Sequence, residues 1–162
     1  MSLRGAGVCG QIWSWRCTSG CSDLTDSVYA GLDLGGEIQS VHTQGIGDTV
    51  LLEGAVGLDG LAVCHLGAGS EAGGGGLLRQ VRGRPPGPRR RDRFERLLDA
   101  CEQLAADRGL ERVDAGMNLA RTDAYGRMID RGYRTGLQGV AMHRPNESGY
   151  SRADAYVIDD WR

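Results

Sequence analysis

Residues 92–109 read Asp-Arg-Phe-Glu-Arg-Leu-Leu-Asp-Ala-Cys-Glu-Gln-Leu-Ala-Ala-Asp-Arg-Gly. Phe94, Leu97, Leu98, Cys101, Leu104 and Ala105 recur at steps of three and four, which makes one apolar stripe along an α-helix. Asp92 is a suitable cap for it and Gly109 a suitable stop. A helix with one apolar stripe needs an apolar surface to lie on, and the flanking sequence offers strands. Upstream, Thr49-Val50-Leu51-Leu52 and Leu61-Ala62-Val63-Cys64-His65-Leu66 are two short apolar runs spaced like the arms of a hairpin. Downstream, residues 112–118 read as a strand. Residues 122–131 read as a second helix with Tyr125, Met128 and Ile129 inward and Gly132-Tyr133 at its end. Residues 137–143 and 155–158 supply two last strands. Ahead of the hairpin, Glu37, Ile38 and Val41 suit a short helix capped by Asp33 and ending near Gly45 and Gly47. The order predicts an α+β (layered) protein, a mixed β-sheet flanked by helices, and not a doubly wound sheet.

Composition limits the function classes. The chain has 162 residues, 40% hydrophobic and 25% charged, enough for one core and little more. Nineteen basic and twenty-one acidic residues leave a net charge of -2, so the overall field argues against nucleic acid or an anionic membrane as partner. No apolar run approaches the roughly 20 residues that cross a bilayer, and the amino terminus lacks the build of a signal peptide, so a cytoplasmic protein is expected. Cys9, Cys17, Cys21, Cys64 and Cys101 lack zinc-module spacing and are read as free thiols. Residues 67–76 hold six glycines and are read as a loop. Gly67, Gly69 and Gly73 only approach a dinucleotide fingerprint, with no βαβ unit around them. Residues 1–23 are read as a poorly ordered lead-in and 24–162 as the folded domain.

A Gly/Arg/Pro turn before a long amphipathic helix, then strand-Asn, a helix with Tyr, and Gly-Tyr before a final hairpin: this succession resembles the GNAT superfamily of N-acetyltransferases. The resemblance covers roughly residues 24–162 and is densest from Phe94 onward. The family's diphosphate loop follows R/Q-x-x-G-x-G/A. Here Arg84-Pro85-Pro86-Gly87-Pro88-Arg89 keeps the first Arg and the Gly but puts Arg89 where a small residue is expected. Asn118 matches the Asn that closes the next strand, and Gly132-Tyr133 the aromatic after Gly. The resemblance implies acetyl-CoA as acyl donor, lying where two parallel strands splay apart, and an amine as acceptor, small molecule or peptide. Tyr125, seven residues after Asn118, is then the acid for the departing thiolate; counting back from Gly132 points to Met128 instead. Independently of any family, backbone N–H groups at a helix amino terminus hold phosphate, and Arg89, Arg90 and Arg91 add charge-assisted bonds. Read from charge alone, the same arginines are a solvated basic run. Glu53, Glu71, Asp114, His42, His65 and His143 are available as bases, but no spacing pairs any two of them.

One segment departs from the pattern. The family needs a buried strand before the diphosphate loop, and this chain has Leu77-Leu78-Arg79-Gln80-Val81-Arg82-Gly83-Arg84, with guanidinium groups on both faces of any regular strand. Related chains carry there a strand resembling Tyr-Val-Lys-Phe-Gly-Ala-Val-Arg-Pro-Gly-Pro. Read one nucleotide out of frame in GC-rich codons, it gives the sequence from Leu78 to Pro88. Residues 77–91 are therefore expected to be out of frame. Eight of the nineteen arginines fall between Arg79 and Arg96, as a slip would produce. The family's first strand and helix are not recognisable before Asp23, which leaves a sheet edge that invites homodimerisation. In related chains this unit can follow another acetyltransferase-like domain. Two alternatives stand beside an N-acetyltransferase: a non-catalytic acyl-CoA-binding or protein-interaction domain, and nucleic-acid binding through Arg79 to Arg96, which the absence of interleaved aromatic residues disfavours.

Overall fold

The computed structural model describes residues 7–8, 21, 24–25, 34–55, 57–66, 76–83, 89–140 and 156–158; for 7–8 and 76–83 it describes the backbone only. The hairpin read from the sequence is its centre. Strands β2 (Gly47–Gly54) and β3 (Gly57–His65) pair antiparallel from Gly47 opposite His65 to Gly54 opposite Gly57. Gly57 turns the chain with a positive φ of 129°, open to glycine and strained for other residues. At Gly47 a side chain would collide with the carbonyl oxygen of Cys64, so only glycine lets the two strands approach there.

Helix α1 (Gly35–Gln44) precedes the hairpin and ends at Gly45 in the left-handed conformation. Its N-cap is Leu34, without a side-chain cap, and not the expected Asp33, which lies outside the described residues. Two residues of the expected lead-in, Gly7–Val8, form a short strand β1 antiparallel to β2, which no pattern in the sequence announces.

Strand β4 (Gly76–Gly83) follows and pairs antiparallel with β3. Helix α2 (Arg90–Asp107), strand β5 (Val113–Ala115), helix α3 (Thr122–Asp130) and strand β6 (Val157–Ile158) complete the described chain. The sheet runs β1-β2-β3-β4-β5, with β6 also on β4. Among the described residues only β4 and β5 are parallel, so the sheet is mixed and flanked by helices, as the element order predicts.

Both faces of the sheet are covered. On one, Phe94, Leu97, Leu98, Cys101 and Leu104 of α2 and Ala124 and Met128 of α3 pack on Val50, Leu52, Ala62 and Cys64. On the other, Ile38 and Val41 of α1 pack on Leu61 and Val63 with Cys21, Leu24 and Leu34. Alternate β3 residues thus feed opposite cores, the behaviour of an interior strand. Phe94, Leu97, Leu98 and Leu104 each bring about 1.5–3 kcal/mol of transfer free energy before entropy is counted.

Several expectations need correction. Helix α2 begins two residues earlier than read, so Arg90 and Arg91 are in its first turn and Asp92 is not its cap. Strand β5 spans three residues rather than seven. Ile129 is 41% exposed: Ala124 and Met128 form the buried row of α3, and the residue after Met128 turns about 100° away from it. The strand expected from Leu137 does not form over residues 137–140, where Leu137 and Val140 are 78% and 86% exposed; Ala141 to His143 lie outside the described residues. No helix among the described residues is long and apolar enough to cross a membrane.

Candidate active site

The site is defined by how β4 changes partners. Gly76, Leu77 and Leu78 pair in parallel with Val113, Asp114 and Ala115. On the other edge Cys64 lies opposite Leu78 and Val63 opposite Gln80, so Arg79 has no counterpart and forms a bulge. A bulge bends and twists a strand and commonly ends a pairing. Strand β5 stops at Ala115, level with Leu78, the residue before the bulge, and the two parallel strands part there. Beyond it, Val81 and Arg82 pair antiparallel with Ile158 and Val157 of β6. Because Ala62 and Leu61 of β3 already pair with those two positions, β6 sits on the edge that β5 vacates.

Helix α2 starts a few residues after β4 ends. Its N-cap is Arg89, and no side chain among the described residues caps it. The first-turn N–H groups and the helix dipole therefore make this end attractive to an anion. Of the residues expected to hold a diphosphate, Arg84 and Gly87 lie outside the described residues. Arg89, Arg90 and Arg91 come together at the head of α2, in different surroundings. Arg89 is exposed, and Arg90 lies over the Tyr156 ring, 5.8 Å from its centre. The Arg91 Nη2 is 3.4 Å from both carboxylate oxygens of Asp123.

Asn118 belongs to the turn between β5 and α3 and not to the strand. Its side-chain oxygen accepts the Ala120 N–H at 2.9 Å and its backbone oxygen the Arg121 N–H at 3.0 Å, which sets up the start of α3. Tyr125 is half-buried on α3, its hydroxyl 3.1 Å from the Thr135 hydroxyl. Among the described residues 89–96 the basic run is not a free cationic stripe: Arg93 pairs with Asp59 at 3.3 Å and Arg91 with Asp123.

The residues that converge where the strands part were not singled out from the sequence. Tyr156, immediately before β6, is buried; its ring meets Phe94 edge to face at 5.2 Å and its hydroxyl donates to Asp123. Arg121, wholly buried, donates from Nη1 to the Val157 carbonyl oxygen at 3.0 Å. The Tyr156 hydroxyl, against a burial penalty, and then Arg91 hold the Asp123 carboxyl below the usual carboxylate range. Burial first and the Asp123 contact second push the Tyr156 phenol up. A sequence signal existed only for the aromatic pair, as a Tyr opening an apolar strand; nothing marks Arg121 as a buried arginine.

Helix α3 is fixed to α2 at its other end. Arg131 reaches Glu95 at 2.8 Å, Asp99 at 2.7 Å and Glu102 at 2.6 Å, and the Tyr133 hydroxyl donates to Glu102 at 3.2 Å. Elsewhere, buried His65 lies 3.4 Å from Glu37, and the Cys64 and Cys101 sulfurs are 4.0 Å apart in the core as thiols. Among the described residues no cluster of His, Cys, Asp and Glu could hold a metal.

No protein-family profile and no curated protein sequence matches the chain. Solved structures do resemble it. The aminoglycoside N-acetyltransferase AAC(6')-Iy in complex with CoA matches with a TM-score of 0.63 at 13% identity, over 88% of this chain and 98% of that one. The aminoglycoside 6'-N-acetyltransferase AAC(6')-IG from Acinetobacter haemolyticus, in its apo form, matches with a TM-score of 0.58 at 12% identity, over 86% and 97%. At these identities what is shared is the fold, the GNAT-like mixed sheet that the sequence leads one to expect.

Proposed function

We propose that this protein binds acetyl-CoA and moves its acetyl group to the amine of a small molecule or peptide. The observation that carries the reading is the parting of the parallel strands β4 and β5 beside a bulge, with the head of α2, uncapped among the described residues, a few residues after β4, in a fold shared with two N-acetyltransferases. The donor's diphosphate fits the first-turn N–H groups of α2 and the exposed Arg89, with Arg90 beside them. Arg91 joins them once a phosphate competes with Asp123 for it. Bound there, the donor supplies a thioester whose carbonyl an amine attacks.

This chain's residues would bind and orient the donor and protonate the departing thiolate. Tyr125 is the proposed acid, by its position on α3 seven residues after Asn118; its hydroxyl must exchange Thr135 for the thiolate to act. The two matched structures bear the names of aminoglycoside acetyltransferases, so amino sugars belong at the head of any acceptor panel.

A second reading, a non-catalytic acyl-CoA-binding domain, is favoured by the Tyr125 to Thr135 hydrogen bond and by β6 lying on β4. One pair of measurements separates the readings. Coenzyme A at 100 times its Kd should stabilise the fold by about 2.7 kcal/mol, and acetyl-CoA with the amine panel should release free thiol. Stabilisation without thiol release supports the binding domain. Calorimetry with no heat at millimolar coenzyme A refutes both.

A further inference from the structure

We propose that residues Tyr156, Val157 and Ile158 are an autoinhibitory strap: they occupy the edge of β4 that β5 vacates, and they must leave it before a coenzyme A molecule can lie between the two strands. The inference rests on the donor site proposed above and concerns what controls entry to it.

The backbone register carries the argument. Past the bulge at Arg79, one edge of β4 is closed by β3, and the only other edge pairs with β6. Each strand edge offers one row of N–H and C=O groups. An extended ligand arm with amide groups of its own would use that same row, so arm and strap exclude each other.

The strap is two paired residues long, and its grip comes from side chains. Arg121 holds the Val157 carbonyl, Asp123 holds the Tyr156 hydroxyl, and Phe94 and Arg90 enclose the Tyr156 ring. Two of these four, Arg90 and Phe94, belong to the first turns of α2, the end that attracts phosphate. The coupling follows from charge. Arg90 lies over the Tyr156 ring at the end of α2 that attracts phosphate, so a diphosphate that draws Arg90 away removes one of the contacts that hold the strap. Ligand and strap thus compete twice, for the strand edge and for the arginine. Apparent affinity is the intrinsic affinity multiplied by the fraction of molecules with the strap open.

Amide hydrogen exchange on the full chain, with and without coenzyme A, tests this together with Tyr156→Phe, which keeps the ring and removes the hydroxyl. Saturating coenzyme A should lower at least tenfold the protection of the one strap amide, Val157 or Ile158, that faces β4, and Tyr156→Phe should bind coenzyme A about tenfold more tightly than the parent, the scale of one hydrogen bond to a charged group. Equal affinity for the two proteins, with that amide still protected in the complex, overturns the strap and leaves the donor site standing. Absence of binding to either, in a Tyr156→Phe protein whose residues 157–158 have lost protection, overturns the donor site and the strap with it. Should Tyr156→Phe not fold, Asp123→Asn and the exchange of the parent protein separate the same outcomes.

Discussion

Arg131→Met should destabilise the protein by about 2–3 kcal/mol, summed from pair energies of roughly 0.2–1 kcal/mol for exposed contacts and more for the paired, better-buried ones. The side chain is 19% exposed and meets three carboxylates of α2. Asp99 is mostly exposed and contributes least. Glu102 is held by two nitrogens, Nε to one oxygen at 3.1 Å and Nη2 to the other at 2.6 Å, and contributes most. Removing the guanidinium also leaves Glu95, Asp99 and Glu102 facing one another at helical spacings, which adds repulsion. These contacts raise the affinity of Arg131 for its proton, Glu102 first and against partial burial, so the cation is present at any working pH. For a domain of this size the loss corresponds to a fall in Tm of roughly 4–12 °C. Thermal unfolding at low salt measures it, and 1 M salt should narrow the gap between the proteins by screening the contacts. Arg131→Lys should recover only part of the loss, because an ammonium cannot make the forked contact to Glu102. A Met variant melting within 1 °C of the parent at low salt would refute the view that this network fixes α3 to α2.

Three further outcomes follow from other parts of the molecule. Gly47→Ala should cost about 1–3 kcal/mol, because the added carbon overlaps the Cys64 carbonyl across the β2–β3 pair; denaturant unfolding with an unchanged midpoint would contradict the close approach. Cys101, whose thiol is held protonated by Cys64 and by burial, should resist iodoacetamide at pH 8 until the protein unfolds. Rapid native-state labelling of Cys101, read by peptide mapping, would contradict that packing. The Asp123 carboxyl is lower in the folded protein than in the unfolded chain, whose value is about 3.9. Its contribution to stability is therefore full above that value and lost as pH falls through the folded one, so Asp123→Asn should be less stable than the parent at pH 7 and indistinguishable from it in strong acid.

Legibility followed the range of the forces involved. Helix α2 could be read because its stripe is local: six residues at helical spacing need one apolar surface, and the structure supplies β2 and β3. The hairpin could be read for the same reason. Length of pairing could not, since β5 ends where the β4 bulge turns away, and no residue of β5 records that event. Tyr156 reaches Asp123 and Phe94 only because β6 returns across the sheet to β4, a contact between segments more than thirty residues apart. Leu137 and Val140 show the opposite failure: apolar residues suggest a strand, but no neighbouring strand pairs with residues 137–140 among those described.

Strand β4 poses the sharper question, because its own sequence argues against the place it takes. Residues 77–83 carry two arginines, yet the segment pairs with β3, β5 and β6. Its neighbours account for this. Strand β3 is buried along both faces and presents an unbroken edge from Gly60 to His65, while α2 is anchored from Phe94 onward by its own stripe. Between two fixed points the intervening chain is drawn to the open edge whatever its side chains, since backbone groups alone make the ladder. An out-of-frame segment of the right length would therefore still become a strand, while losing the side chains that belong to a site. The bulge skips Arg79, and the arginines at the head of α2 close the segment read as out of frame, so the two features that most invite a diphosphate would then be products of the slip. Sequencing the encoding DNA across residues 77–91 decides between them: an uninterrupted frame matching close homologues makes Arg90 and Arg91 native to the site, and a compensated insertion and deletion makes them its accident.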